Sequence, residues 1–390
     1  MKLPVMILAG GAGERIRDIA DNKPKVMLKI AGKPIVEYVI ENIINIGLND
    51  IYIVTDKPNY FEDLSIKYGK IARIDIIKQE LPEIRGAVLS AKDVISQEYF
   101  MLVYGDILAP KQFYSDVIDA FNVYSKPVMA LIPEEDVTSY GAAIVDSKGV
   151  VGKVVEKPKE VLPEAYAIGG LYILNKDFFD VLEKSEDMGE ALSEYSSKRS
   201  IIASIWSGWW IDVGYPWDLL KAIYFVLKGL DRTIISPKAD IASSAIIKGP
   251  VIVEDDAVID EYSVIKGPVY IGKGAYVGNY ALIREYVDLE RNVVVAANAE
   301  VVWSCIQDKA TIGRNSYLGF SVVGEKAVIE PNVITLTLLK SIKEKPIIVK
   351  RRGQEYAKLG AFIGASSRVR AGTILEAGTL VKKKTIYDKS

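Results

Sequence analysis

From Ile235 onward every sixth residue is aliphatic: Ile235, Ile241, Ile247, Val253, Ile259, Ile265, Ile271, Val277, Ile283, Leu289, Val295 and Val301. Two positions before each, from Ala239 to Ala299, stands a small or β-branched residue. This period matches neither an α-helix nor an ordinary alternating strand. It is the hexapeptide repeat of a parallel β-helix, in which short strands on three faces each point one aliphatic side chain into a narrow core. Successive coils stack at about the 4.8 Å spacing of paired strands. Chance spacing in an Ile-rich chain does not sustain so long a run. The register slips by one at Ile306, Ile312 and Leu318, and the period resumes at Ile363, Val369, Leu375 and Val381. Between them, about 336–358 is basic and off-period, with KSIKEKPIIVKRRGQEYAK at its heart. We expect a loop expelled from the coil, serving as a solvated arm or a subunit contact.

Before about Gly229 the pattern is different. Val5–Leu8, Ile51–Thr55 (IYIVT) and Phe100–Tyr104 (FMLVY) read as strands. PIVEYVIENIINI, from Pro34 to Ile46, has helical spacing, a proline at its start and Gly47 at its end. Strands alternating with helices predict an α/β fold: a Rossmann-like, mostly parallel sheet with helices on both faces. Ligands of such sheets bind beyond the carboxyl ends of the strands. The expected domains are therefore 1–229 and 230–390, linked near Gly229–Thr233.

Composition restricts the chemistry. The 390 residues include no histidine, which excludes a histidine base, a histidine metal ligand and any Ser-His or Cys-His nucleophile. Catalysis must rest on carboxylates, Lys, Arg, backbone amides or a hard metal ion. The single cysteine, Cys305, allows no internal disulfide and suits a reducing, cytoplasmic setting. A formal net charge of −2 offers no general surface for nucleic acid. No apolar run is long enough for a membrane span. The short apolar run at the N-terminus flows into glycines and reads as a first strand, not a leader.

That run continues as LAGGAGERIRDIADNKPK, Leu8 to Lys25. It lacks the third glycine of a dinucleotide fingerprint, with Ile16 in its place, and no Gly-Lys-Ser/Thr of a P-loop follows. It still has the form of a phosphate cradle. Gly10, Gly11 and Gly13 let backbone N–H groups approach an anion. Arg15 and Lys25 supply positive charge, Arg15 through a two-pronged fork. Taken alone, a plain tight turn explains these glycines equally well.

Other segments recur in a recognisable order. LAGGAGER with KPK, VYGD (Val103–Asp106), SYGAAIVD (Ser139–Asp146), VEKP (Val155–Pro158), AIGGLYIL (Ala167–Leu174) and WWIDVGYPWDLLKA (Trp209–Ala222) together resemble the sugar-1-phosphate nucleotidylyltransferases over about Lys2 to Lys228. With the repeats attached, the whole chain is similar to the two-domain members of that family. These include bifunctional N-acetylglucosamine-1-phosphate uridylyltransferase/acetyltransferases and long-form glucose-1-phosphate thymidylyltransferases. The resemblance implies a left-handed coil that packs as a homo-oligomer, a trimer or multiple. It implies attack by a sugar-1-phosphate on the α-phosphorus of an NTP, expelling pyrophosphate. That nucleophile is already ionised, so no histidine is required. Asp106 and Asp212 would hold Mg²⁺, and Arg15 and Lys25 the triphosphate. Gln79 would read the base, with UTP or dTTP favoured. Tyr140, Gly141, Glu156 and Lys157 would bind a hexose-1-phosphate. Each aspartate is also a common turn former, Glu156 and Lys157 also read as a surface charge pair, and Trp209, Trp210 and Trp217 read as packing.

The sequence departs from the family at several points. Asp18 and Lys29 stand where the family usually has prolines, and Ile84 and Arg85 where small residues usually line the base loop. GEALSEY (Gly189–Tyr195) stands where the family has a Glu-Leu-Thr-Asp segment. In the coil, Arg314 occupies the position of the acetyltransferase histidine, Val302 that of a sugar-binding lysine, and Glu330–Val333 (EPNV) that of a Gly-Ala-Gly-Thr turn. Arg284 and Tyr317 match. These departures speak against acetyl transfer, because a guanidinium stays protonated at neutral pH. They leave open a regulatory subunit that binds nucleotide-sugar without making it.

Overall fold

The computed structural model describes residues 3–11, 13–338, 347–351 and 354–388. The chain forms two compact units. One comprises Met1–Ala12 with Ile35–Asp212, the other Gly13–Pro34 with Val213–Ser390. Gly13–Pro34 and helix Asp218–Lys228 therefore precede residue 229 in sequence yet pack with the repeat coil.

The first unit is built on a nine-stranded sheet. Its order is Arg73–Lys78, Asp50–Thr55, Val5–Leu8, Tyr99–Tyr104, Ala165–Asn175, Val128–Ile132, Ile201–Ile205, Val150–Glu156 and Gly141–Val145. The first four strands are parallel. The long strand Ala165–Asn175 then pairs antiparallel with neighbours on both sides, making the sheet mixed beyond its parallel half. All four residues of VMIL are buried, as expected of a strand covered on both faces. Met6, Leu8, Phe100 and Leu102 pack with residues of helices Glu83–Leu89 and Met188–Lys198. Their alternates Val5, Ile7, Met101 and Val103 are equally buried. Helix Ile35–Asn45 matches the expected helical run. Leu8 lies level with Val54 and Tyr104 across the parallel strands. The segments that follow these strands therefore emerge along one edge.

In the second unit, short strands stack into three parallel sheets of eight, eight and seven members, a left-handed β-helix of hexapeptide repeats. Val253 pairs with Ile271 and Ile271 with Leu289, eighteen residues per coil. Leu289 then pairs with Ile306 and Ile306 with Val323, seventeen residues each. The register slip is thus a corner shortened by one residue, in two successive coils. The repeat aliphatics from Val253 to Val381 form one continuous buried cluster. Ile235 is 43% exposed, and Ile241 and Ile247 are only partly buried, because the first coil has a neighbour on one side only. Within the expected loop, Ile347–Arg351 and Gln354–Lys358 pair with each other and with none of the three coil sheets. Its residues 339–346, 352 and 353 lie outside the described residues. No described helix is long and apolar enough to cross a membrane.

Candidate active site

At the carboxyl edge of the parallel strands, Gly10 lies against Gln79. A Cβ on Gly10 would stand 2.2 Å from Gln79 Oε1, so only glycine admits the Gln79 side chain there. The Gln79 amide nitrogen donates to the carbonyls of Leu81 (2.7 Å) and Glu83 (3.1 Å). Two carbonyl acceptors identify which end of the amide is nitrogen. Gln79 Oε1 is then buried with no hydrogen-bond partner, an acceptor held beside the glycine backbone. Gly11 follows, exposed, with φ +114°. Arg85 does not enter this loop. Its guanidinium donates to the carbonyls of Leu182 (3.1 Å) and Glu183 (2.9 Å), capping the end of helix Phe178–Leu182. Ile84 is 41% exposed.

Past Tyr104 the chain turns at Gly105 and Asp106 into the two-residue strand Ile107–Leu108. This strand pairs antiparallel with Ile211–Asp212, placing Asp212 opposite Ile107. The backbones of Asp106 and Asp212, far apart in sequence, thereby come to neighbouring positions, and both residues are half-buried. Burial raises the Tyr104 hydroxyl. A bond from Tyr172 lowers it, and the charges of Glu156, Asp106 and Asp212 raise it further. All three carboxylates are thus within electrostatic reach of one buried phenol. The donor set fits a hard divalent cation. No group of three His, Cys, Asp or Glu among the described residues forms a complete metal cage. Two carboxylates that leave positions for substrate phosphates are how Mg²⁺ is commonly held.

Glu156 pairs across the sheet with Gly141, and the Lys157 N–H donates to the Tyr140 carbonyl at 3.1 Å. The Trp210 ring lies edge-on to Tyr140, 5.6 Å between centroids, and its N–H donates to the Gly169 carbonyl. Trp210 is therefore committed to packing. Lys157 holds a left-handed φ of +41°, uncommon for a side-chain-bearing residue, and its Nζ stands 3.8 Å from Glu156. Although 43% of the Glu156 side chain is accessible, desolvation lifts its carboxyl above the usual range; Lys157 opposes this and Asp187 adds to it. Gly189 backs the site, since a Cβ there would meet Glu156 Cβ at 2.7 Å. GEALSEY thus contributes a glycine facing Glu156, a role that its mismatch with the family segment concealed.

The remaining candidates, Gly13, Arg15 and Lys25, belong to the second unit. Gly13 packs against the Lys25 stem. The Arg15 guanidinium lies over the Tyr215 ring, 4.9 Å from its centroid, and Tyr215 stacks on Trp217 at 4.5 Å. The two family prolines that are missing have a physical replacement. The Asp18 carboxylate accepts from the Lys383 N–H at 3.2 Å and its carbonyl from the Ala365 N–H at 2.8 Å. Lys29 Nζ pairs with Asp308 at 2.8 Å. Both residues bind the coil. Elsewhere on the coil, Arg284 is paired with Glu300, Val302 is buried, Arg314 is exposed, and Glu330 is held by Arg368 and Arg370.

An α/β sheet with a glycine turn at its carboxyl edge, followed by a hexapeptide coil, is the architecture of a nucleotidyl-transferring enzyme. The chain belongs to the nucleotidyl transferase family, whose model matches residues 4–229, and a model of the bacterial transferase hexapeptide (six repeats) matches 250–285. Within that family it groups with the sugar-1-phosphate nucleotidylyltransferases. It is 32% identical over 373 residues to "Bifunctional protein GlmU" of Methanocaldococcus jannaschii, covering 93% of this chain and 88% of that protein. It is 31% identical over 400 residues to the "Bifunctional sugar-1-phosphate nucleotidylyltransferase/acetyltransferase" of Sulfurisphaera tokodaii, covering 97% and 94%. The fold also matches a UDP-glucose pyrophosphorylase from Acinetobacter baumannii, with TM-score 0.52 and 21% identity over 59% of this chain and 95% of that one.

Proposed function

We propose that the chain joins an NTP to a hexose-1-phosphate, releasing pyrophosphate, with Mg²⁺ held by Asp106 and Asp212. The observation that supports this reading is the pairing of Ile107–Leu108 with Ile211–Asp212, which brings the backbones of the two aspartates to neighbouring positions, with both charges acting on the buried Tyr104. When bound, the ion supplies charge to the phosphate oxygens as negative charge builds on them. The backbone of Gly10, Gly11 and Gly13 binds the triphosphate, and Arg15 and Lys25 neutralise it. Glu156 orients a sugar hydroxyl and Lys157 the sugar phosphate, beside Tyr140 and Gly141.

The placement of Gln79 beside Gly10 supports UTP or dTTP. An amide can pair with the N3–H and a carbonyl of uracil or thymine, and with the buried oxygen lying against Gly10, Gln79 must turn its amide outward to do so. Replacing Asp106 by Asn tests the metal assignment: pyrophosphate release should fall by about three orders of magnitude or more with the fold intact by circular dichroism. Retained activity removes Asp106 from the reaction.

The reading includes no acetyl transfer, because Arg314 stands where the family's base would be. The coil's role is assembly. Ile334 and Ile374, adjacent and outward on one coil face, are 39% and 52% exposed, and supply apolar surface for a homo-oligomer, a trimer or multiple, in the cytoplasm. Light scattering at several concentrations tests this, and a strictly monomeric mass contradicts it.

A further inference from the structure

The segment Gly13–Pro34 lies lengthwise along the coil and is fastened to it at successive rungs. At one end, the Ala31 N–H donates to Asp288 (3.1 Å) and the Gly32 N–H to Glu290 (2.8 Å). One coil further on, Gln307 pairs with both backbone groups of Lys29, accepting from its N–H at 3.1 Å and donating to its carbonyl at 2.9 Å. Asp308 holds the ammonium of the same residue. The next coil supplies Glu325, which pairs with Lys23. At the other end Lys383 binds the carbonyl of Asp21 through Nζ at 3.1 Å and Asp18 through its backbone.

Apart from the Lys29–Asp308 and Lys23–Glu325 ion pairs, these are side-chain-to-backbone bonds on buried or half-buried groups, a costly arrangement unless the segment must hold one position. Asp288, Glu290 and Gln307 are 0%, 1% and 5% exposed. A buried polar group without partners is unfavourable, most of all a carboxylate, so each depends on the segment's backbone as much as the segment depends on it. The segment also carries Arg15 and Lys25. Their charges act on a triphosphate only where their stems are placed, and a misplacement of about 1 Å can cost a hundredfold in rate.

We infer that the β-helix positions the phosphate-binding cations for nucleotidyl transfer, with Gln307, Asp308 and Glu325 as positioning residues that act through the segment Asp18–Gly32. The inference rests on the reading that Arg15 and Lys25 bind the triphosphate. It gives the coil a part in the reaction besides assembly. The candidate sugar-binding residues Tyr140, Gly141, Glu156 and Lys157 belong to the other unit, so loosening the strap should affect the two substrates unequally.

The test compares the full-length chain with Gln307→Ala/Asp308→Ala and with Glu325→Gln. Steady-state pyrophosphate release is measured against UTP or dTTP and, separately, against hexose-1-phosphate. Amide hydrogen exchange is followed at Lys29, Ala31 and Gly32. The expected result is faster exchange at those amides, a kcat/KM for the NTP lowered by about tenfold or more, and a KM for the sugar phosphate within about twofold of the original. Asp308→Glu, which keeps the charge, should retain most of the NTP kcat/KM. Faster exchange with an unchanged NTP kcat/KM overturns the inference while leaving the proposed reaction intact. Equal losses for both substrates, with lost protection in the coil itself, also overturn it, because they show a purely structural role. An unaltered chain that neither binds nor uses any NTP overturns the reading beneath it, and the inference with it.

Discussion

Gln79 and Gly10 show how much one missing side chain can decide. Gly10→Ala inserts a methyl where Gln79 Oε1 now stands, so the amide must leave its bonds to Leu81 and Glu83. The KM for the NTP should rise by about tenfold or more, with a smaller change for the sugar phosphate. Equal changes in both contradict the assignment of Gln79 to the base. Arg85 illustrates the opposite case. Its position in the sequence suggests an obstructed base loop, but its guanidinium caps a helix. Arg85→Ala should lower thermal stability, by about 1–2 kcal/mol, without altering the choice of base; a changed base preference in the substrate series contradicts this. Asp18 and Lys29 are legible in the sequence only as departures from a pattern. Their partners lie in the last third of the chain, and no local spacing or propensity reports a contact of that range.

At the scale of elements, the hexad spacing makes the coil plain because each short strand turns one aliphatic side chain into the core. The spacing loses its register where a corner shortens by one residue, between Val301 and Ile306 and again between Leu318 and Val323. Val323 and Ile329 belong to the buried series, although steps of six from Ile235 land on neither. The strap is invisible in the sequence for a different reason: it is held by carboxylates and amides, not by apolar spacing. Those carboxylates give the coil a pH dependence. Burial pushes the Asp288 carboxyl up to about 7, against which the Ala31 N–H and the Cys305 thiol pull down, and it raises Glu290 as well. Lys29 lowers Glu290, while Asp308 raises both. An acid whose folded pKa lies above its unfolded one binds more protons when folded. Its contribution to stability is full below the ordinary carboxylate range and is lost as pH rises through about 7. The thermal midpoint should therefore fall between about pH 5.5 and 8.5, and fall less in Asp288→Asn, whose amide oxygen still accepts the Ala31 N–H. An identical fall in both chains contradicts this.

For the molecule as a whole, the absence of histidine restricts the chemistry by composition alone, and a reaction between phosphates needs none. The α/β sheet and the coil are legible from their periods, and the carboxyl edge as the place for ligands follows from the parallel strands. That the backbones of Asp106 and Asp212 come to neighbouring positions is not readable from their separate strand ends, because it depends on a two-residue pairing. Nor can sequence order show that Gly13–Pro34 groups with the coil. The central claim is that this arrangement makes a nucleotide-sugar. Pyrophosphate release by the full-length chain with Mg²⁺, across UTP, dTTP and GTP paired with several hexose-1-phosphates, tests it most directly. The account predicts release with UTP or dTTP that depends on the sugar phosphate and is abolished by Asp106→Asn. No release with any pair, while a nucleotide-sugar still binds, would contradict it and make the chain a regulatory subunit.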